Sequence, residues 1–203
     1  MNFSLSEKLI LAFTVLYTAA FSAYFMLHFN VEFLAYVGVI VLIFALLYGT
    51  LDKTQVPAYI LAGLSLWGLM HMLGGSMPTA DGVLYNWQML PLFDGGDDLY
   101  ILKFDQFVHA YLYAVVTLLF LNLLRNYFGN RHSQILIGFI AVTAAMGVGA
   151  INEIIEFIAV LTVPDNNVGG YYNMALDIVF NFAGALFAVL AFYLIRKISA
   201  FKN

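Results

Sequence analysis

Residues 133–159 read SQILIGFIAVTAAMGVGAINEIIEFIA, and this stretch decides the fold. It is long enough to cross a bilayer, which takes about 20 mostly apolar residues. Yet it ends on two acids, Glu153 and Glu156, three positions apart with Asn152 beside them. Working outward, the composition chooses the solvent. Hydrophobic residues make up 63% of the 203-residue chain and charged residues 10%, against about 45–50% and 25% in soluble domains. A soluble fold of this size could not hide so much apolar surface, so the solvent is lipid.

Six segments qualify as spans: residues 8–28, 31–50, 56–74, 104–123, 133–159 and 172–195. The expected fold is therefore all-α, a polytopic membrane helix bundle of six transmembrane helices forming a single transmembrane domain over residues 1–203. The apolar run of the first segment exceeds the roughly 7–15 residues of a signal-peptide core, so it reads as a span. Lys/Arg placement orients the bundle. With the N-terminus inside, Lys8, Lys53, Arg125, Arg131, Arg196, Lys197 and Lys202 fall on the cytoplasmic side and only Lys103 outside. Both termini are then cytoplasmic, in a multi-pass protein of the cell membrane.

The connections are short except for the outer loop, residues 75–103. Its apolar, aromatic centre (residues 83–92) disfavours disorder and suggests a cap over the helix ends, with Tyr85 and Trp87 at headgroup level. Asp94-Gly95-Gly96-Asp97-Asp98 and Asp165-Asn166-Asn167 lack the alternating ligand pattern of calcium loops and read as turns. The formal net charge of −4 and the scattered basic residues exclude a nucleic-acid partner. The absence of cysteine excludes thiolate chemistry and disulfides.

The polar residues inside the spans carry the functional signal. His71 lies near the outer end of the third span. Asp105 and His109 share one face at the start of the fourth, and Asp177 and Asn181 repeat that spacing in the sixth. Counted along their helices, His71, Asp105, His109, Glu153, Glu156 and Asp177 all fall in one layer of the outer half of the membrane. His28 and His132 fall outside that layer. Independent helices have no reason to agree on such a depth unless the groups form one site.

A carboxylate at mid-bilayer costs about 2.5–3.5 kcal/mol, less toward the interface. Four in one layer, with only Lys103 nearby, call for neutralisation by protons or by a cation. Two imidazoles among the ligands suggest a divalent metal, either zinc or an iron or manganese pair of the kind bundles hold with carboxylates and histidines. The Glu-x-x-His spacing of di-iron bundles is missing. Each residue has a more ordinary reading alone: His71 as an interfacial group, Asp105 as a helix cap, Asn181 as glue between helices. The shared depth favours a site, with all six ionisable residues as metal ligands, Glu153, Glu156 and His109 as catalytic groups, and Asn152 and Asn181 as polar support. Gly147 and Gly149 are expected to bring the fifth span close to the fourth, and Gly184-Ala185 to allow another close approach.

The ordered motifs resemble a known group. His71-Met72-Leu73-Gly74-Gly75, Phe104-Asp105-Gln106-Phe107-Val108-His109, Glu153-Ile154-Ile155-Glu156-Phe157 and Asp177 before Gly184-Ala185 are similar to the YjdF-type bacterial membrane proteins and to the wider VanZ-like group. The resemblance covers roughly residues 56–190. Phe104 departs from it where an aromatic hydroxyl is usual, and Asn173 where a further Asp is expected. It implies a membrane bundle of the cell envelope, with no settled reaction.

Two classes of function follow. One is a metal-dependent intramembrane enzyme, hydrolytic or processing a lipid-like envelope intermediate, with membrane lipids around it and its site facing the extracytoplasmic side. The other is a proton- or cation-coupled transporter. Against transport, the ionisable groups stop at one layer and the spans show no inverted repeat. A non-catalytic scaffold around a buried cation is the third reading.

Overall fold

The computed structural model describes residues 3–80, 82–96, 99–129, 133–162 and 169–200. Six helices carry the chain: α1 (Leu5–Leu27), α2 (Val31–Thr54), α3 (Ala58–Ser76), α4 (Phe104–Phe128), α5 (Gln134–Thr162) and α6 (Tyr171–Ala200). All six are long and apolar enough to span a membrane. The shortest, α3, has 19 residues, or about 28 Å at 1.5 Å per residue, close to the hydrocarbon thickness.

Local chemistry sets the boundaries. Ser4 caps α1 in a capping box with Glu7. The Asn30 side chain accepts from the Phe33 amide at 3.0 Å to start α2. Gln55, in the left-handed region at φ 49°, ends α2, and Pro57 precedes α3. Most helices run a few residues beyond the segments read from hydropathy, because the helical conformation continues past the most apolar stretch.

Helices α1, α2 and α3 form one group and α4, α5 and α6 another, joined through α3 and α4. The most extensive pairing is α4 with α6, and Gly184 makes it possible. A Cβ there would lie 2.7 Å from the carbonyl carbon and 2.9 Å from the Cα of Ala110, so the two backbones meet directly. Gly149 instead makes room for side chains, those of Tyr113 and Asn181, whereas a Cβ at Gly147 would meet nothing within 4 Å.

The surface is turned inside out relative to a soluble protein. Ile154, Phe157 and Phe187 are exposed, while Gln106, Asp177 and Asn181 are fully buried. Lipid solvates the first set, and the second must find partners within the bundle.

The long connection is more ordered than a loop. It holds two short antiparallel hairpins, β1 (Pro78–Thr79) with β2 (Gly82–Val83) and β3 (Gln88–Asp94) with β4 (Tyr100–Lys103), separated by a 3₁₀ turn at Leu84–Asn86. Backbone amides and carbonyls need partners, and pairing as hairpins supplies them. Asp94 Oδ1 accepts from the Gly96 amide at 3.0 Å, the hydrogen bond of an Asx turn. Asp97, Asp98, His132 and the Asp165-Asn166-Asn167 segment lie outside the described residues.

Candidate functional site

The site is built where α3 and α5 end and α4 and α6 begin, beneath the hairpins. Gln106 holds this end together. Its amide oxygen accepts from the Leu102 and Lys103 amides at 2.6 and 3.2 Å, and its nitrogen donates to Tyr100 O at 2.8 Å. One buried side chain thus ties β4 to the first turn of α4 and fixes the position of Asp105.

Asp105 and His109 project from one face of α4, with His109 Nε2 3.7 Å from Asp105 Oδ1. His109 Nδ1 lies 3.0 Å from Asn181 Oδ1 on α6. An amide oxygen can only accept, so Nδ1 carries the proton and Nε2 faces the carboxylates. Asp105 does not cap α4; its Oδ2 accepts from Asn173 Nδ2 at 3.2 Å. The same Asn173 nitrogen donates to Asp177 Oδ2 at 2.7 Å, so one amide bridges two carboxylates. On α5, Asn152 Nδ2 donates to Glu156 Oε1 at 2.7 Å.

Two sets of ligand atoms converge. One atom each from Asp105, His109 and Asp177 lie within 4.8 Å of one another, and so do atoms from His109, Glu153 and Glu156. His109 belongs to both. Glu153 and Asp177 are 7% and 0% exposed. Both Glu153 oxygens and Asp177 Oδ1 have no hydrogen-bond partner among the described residues. Buried polar atoms are rarely left so, and several converging carboxylate oxygens form a donor set that matches a cation.

His71 stands apart from both sets. It lines the same cavity, of about 110 Å³, as Asp105, His109 and Glu156. Its ring, however, is packed by Phe33, Tyr36 and Trp67, with centroids 5.7, 4.9 and 5.6 Å away. Its Nδ1 is hydrogen-bonded to the Tyr85 hydroxyl. Tyr85 therefore turns inward against His71, while Trp87 is half exposed. The Gly74-Gly75 pair explains the turn. A Cβ at Gly74 would lie 2.6 Å from Tyr85 Cζ, and one at Gly75 would overlap the Phe33 ring. Burial, then the nearby Asp105 carboxylate, pushes the Tyr85 hydroxyl well above its usual range, so it remains a phenol.

Sequence reasoning missed two members of this site. Asn173 was expected to be an Asp; as an amide it supplies two hydrogen bonds to carboxylates that an acid would instead repel. Its i, i+4 spacing to Asp177 was the available signal. Tyr85 left no signal, because a 3₁₀ turn folding back on α3 has no periodicity to read.

No curated protein and no solved structure matches the chain. One family does, over almost the whole length: the chain belongs to the family described as "Predicted membrane protein (DUF2238)", which matches residues 7–198.

Proposed function

We propose that this integral membrane protein is a metal-dependent enzyme whose centre opens to the extracytoplasmic side and processes a lipid-like envelope intermediate. The observation that carries the reading is that His109 shares one ligand group with Asp105 and Asp177 and another with Glu153 and Glu156, in which both Glu153 oxygens and Asp177 Oδ1 are buried without hydrogen-bond partners among the described residues. Asp105, His109 and Asp177 would hold one divalent cation, and Glu153 and Glu156 would complete or extend the set around His109. Mixed nitrogen and oxygen ligands of this kind suit zinc, manganese or iron.

A cation bound there supplies Lewis-acid polarisation of a phosphoryl or carbonyl oxygen. The chain's own residues supply the rest. Asn181 fixes the His109 tautomer, as the outer partner of a metal-ligating histidine does. Asn152 orients Glu156, which lines the cavity and is placed to exchange a proton with substrate or water. Asn173 holds Asp105 and Asp177 side by side. The seven-to-one Lys/Arg split supports the outward-facing orientation, and the YjdF-type and VanZ-like resemblance supports an envelope setting. His71 belongs to the cavity wall in this reading and acts through Tyr85.

The test is divalent-cation binding by equilibrium dialysis with Zn²⁺ and Mn²⁺. Asn181→Ala removes no metal ligand, only the hydrogen-bond partner of His109, yet it should weaken binding about 10–100-fold, as loss of an outer partner does. Wild type that binds neither cation, or an Asn181→Ala variant that binds as wild type does, would refute the reading.

A further inference from the structure

Three helices bring unused polar atoms together behind His109. Tyr113, Asn181 and Glu153 are 0%, 0% and 7% exposed. The Tyr113 hydroxyl, Asn181 Nδ2 and both Glu153 oxygens have no hydrogen-bond partner among the described residues. Gly149 locates the first two: a Cβ there would lie 3.1 Å from Asn181 Nδ2 and 3.4 Å from Tyr113 Cζ, the carbon that bears the hydroxyl. Glu153 follows Gly149 by one turn on the same face of α5, and the Tyr113 hydroxyl lies in the field of its carboxylate. Tyr113 in turn follows His109 by one turn of α4, with the two ring centroids 6.3 Å apart. None of the three is among the described lining residues of the cavity that holds Asp105, His109 and Glu156.

The chemistry of these atoms selects what joins them. An amide N–H can only donate and an ionised carboxylate can only accept, while a phenol can donate. Whatever lies between them must therefore accept from Asn181 and donate to Glu153. A metal ion offers the amide no acceptor, and an anion offers the carboxylate no donor. Water does both, and a buried water makes about three such bonds to groups that otherwise have none. We propose that Tyr113, Asn181 and Glu153 bind one water molecule, and that through it Tyr113 positions Glu153 as a metal ligand. Tyr113 and Asn181 donate to the water, which donates to one Glu153 oxygen and leaves the other for the group with His109 and Glu156. The positioning role rests on the metal reading, whereas the water site stands without it.

Tyr113→Phe is the test, because it removes one oxygen and keeps the ring. A buried hydroxyl with no partner is a burden, so its loss would leave the melting temperature unchanged or raise it; a hydroxyl that anchors a water is a partner, so its loss should lower it. The water itself is read by solid-state NMR of the full-length protein in lipid bilayers. Magnetisation should pass from water to the Asn181 side-chain amide in wild type, although that residue is fully buried, and the transfer should be lost in Tyr113→Phe. Zn²⁺ or Mn²⁺ should bind about tenfold more weakly to the variant, the low end for an outer partner. The His109 Nδ1–H resonance, held by Asn181 in both proteins, should not move.

No transfer to Asn181 in wild type, or transfer that survives in a Tyr113→Phe variant melting no lower than wild type, overturns the water site and leaves the metal reading standing. Unchanged cation affinity in the variant, or weaker binding accompanied by a displaced His109 resonance, overturns the positioning role. Water transfer that depends on Tyr113 in protein that binds neither cation supports the water site and sinks the metal reading.

Discussion

Replacing Gly184 with alanine tests the packing on which the site depends. The new Cβ would lie 2.7 and 2.9 Å from backbone atoms of Ala110, with the carbonyl oxygen closer still. Backbone cannot rotate away as a side-chain tip does, so α6 must retreat from α4 by about 1 Å at that point. Overpacking of this kind costs about 1–3 kcal/mol, and alanine returns up to about 1 kcal/mol of helix propensity. The expected net loss is about 1–2 kcal/mol. Asn181 and Asp177 lie three and seven residues earlier on the same face of α6, so the retreat also stretches the 3.0 Å contact between Asn181 and His109. Gly147→Ala is the matched control, because a Cβ there meets nothing within 4 Å; it should be neutral or slightly stabilising. Unfolding of the detergent-solubilised protein by increasing SDS would measure both. A Gly184→Ala variant as stable as Gly147→Ala would refute the direct backbone approach, and with it the placement of α6 beside His109.

Three further outcomes are expected. Cysteine at exposed Asp94 should react with an impermeant thiol reagent applied to whole cells, and cysteine at exposed Gln55 only after permeabilisation; the reverse pattern would move the site to the cytoplasmic half. Tyr85→Phe should destabilise the protein by about 1–3 kcal/mol in the same SDS titration, because His71 Nδ1 then lies buried without its partner. Asn173→Asp removes both bridging hydrogen bonds and adds a carboxylate, so its melting temperature should fall below that of wild type in chelator and recover more than wild type on adding Zn²⁺ or Mn²⁺.

The helices were legible because lipid imposes a length on each span and because Lys/Arg and Pro mark the ends. The depth of Asp105, His109, Glu153, Glu156 and Asp177 was legible for the same reason, since position along a spanning helix is position across the membrane. Partners within that layer were not. Whether a residue faces a neighbour or lipid depends on helix rotation, which here follows from the backbone contact at Gly184. His71 shows the limit. Its depth matches the others, but its ring is claimed by Trp67, Tyr36 and a tyrosine that arrives from the connecting segment. The hairpins escaped notice because strands of two to seven residues carry too little alternation to separate from a loop.

The most direct measurement is the metal content of the purified protein, taken with its melting temperature in the presence and absence of chelator. A cation bound only to the folded state contributes about 3–4 kcal/mol at 100–1,000 times Kd. The account predicts a stoichiometric divalent metal in wild type, a lower melting temperature in chelator, and neither metal nor chelator response in His109→Ala. Wild-type protein that carries no metal and melts at the same temperature with and without chelator would contradict it, leaving a protonated carboxylate network in place of the metal centre.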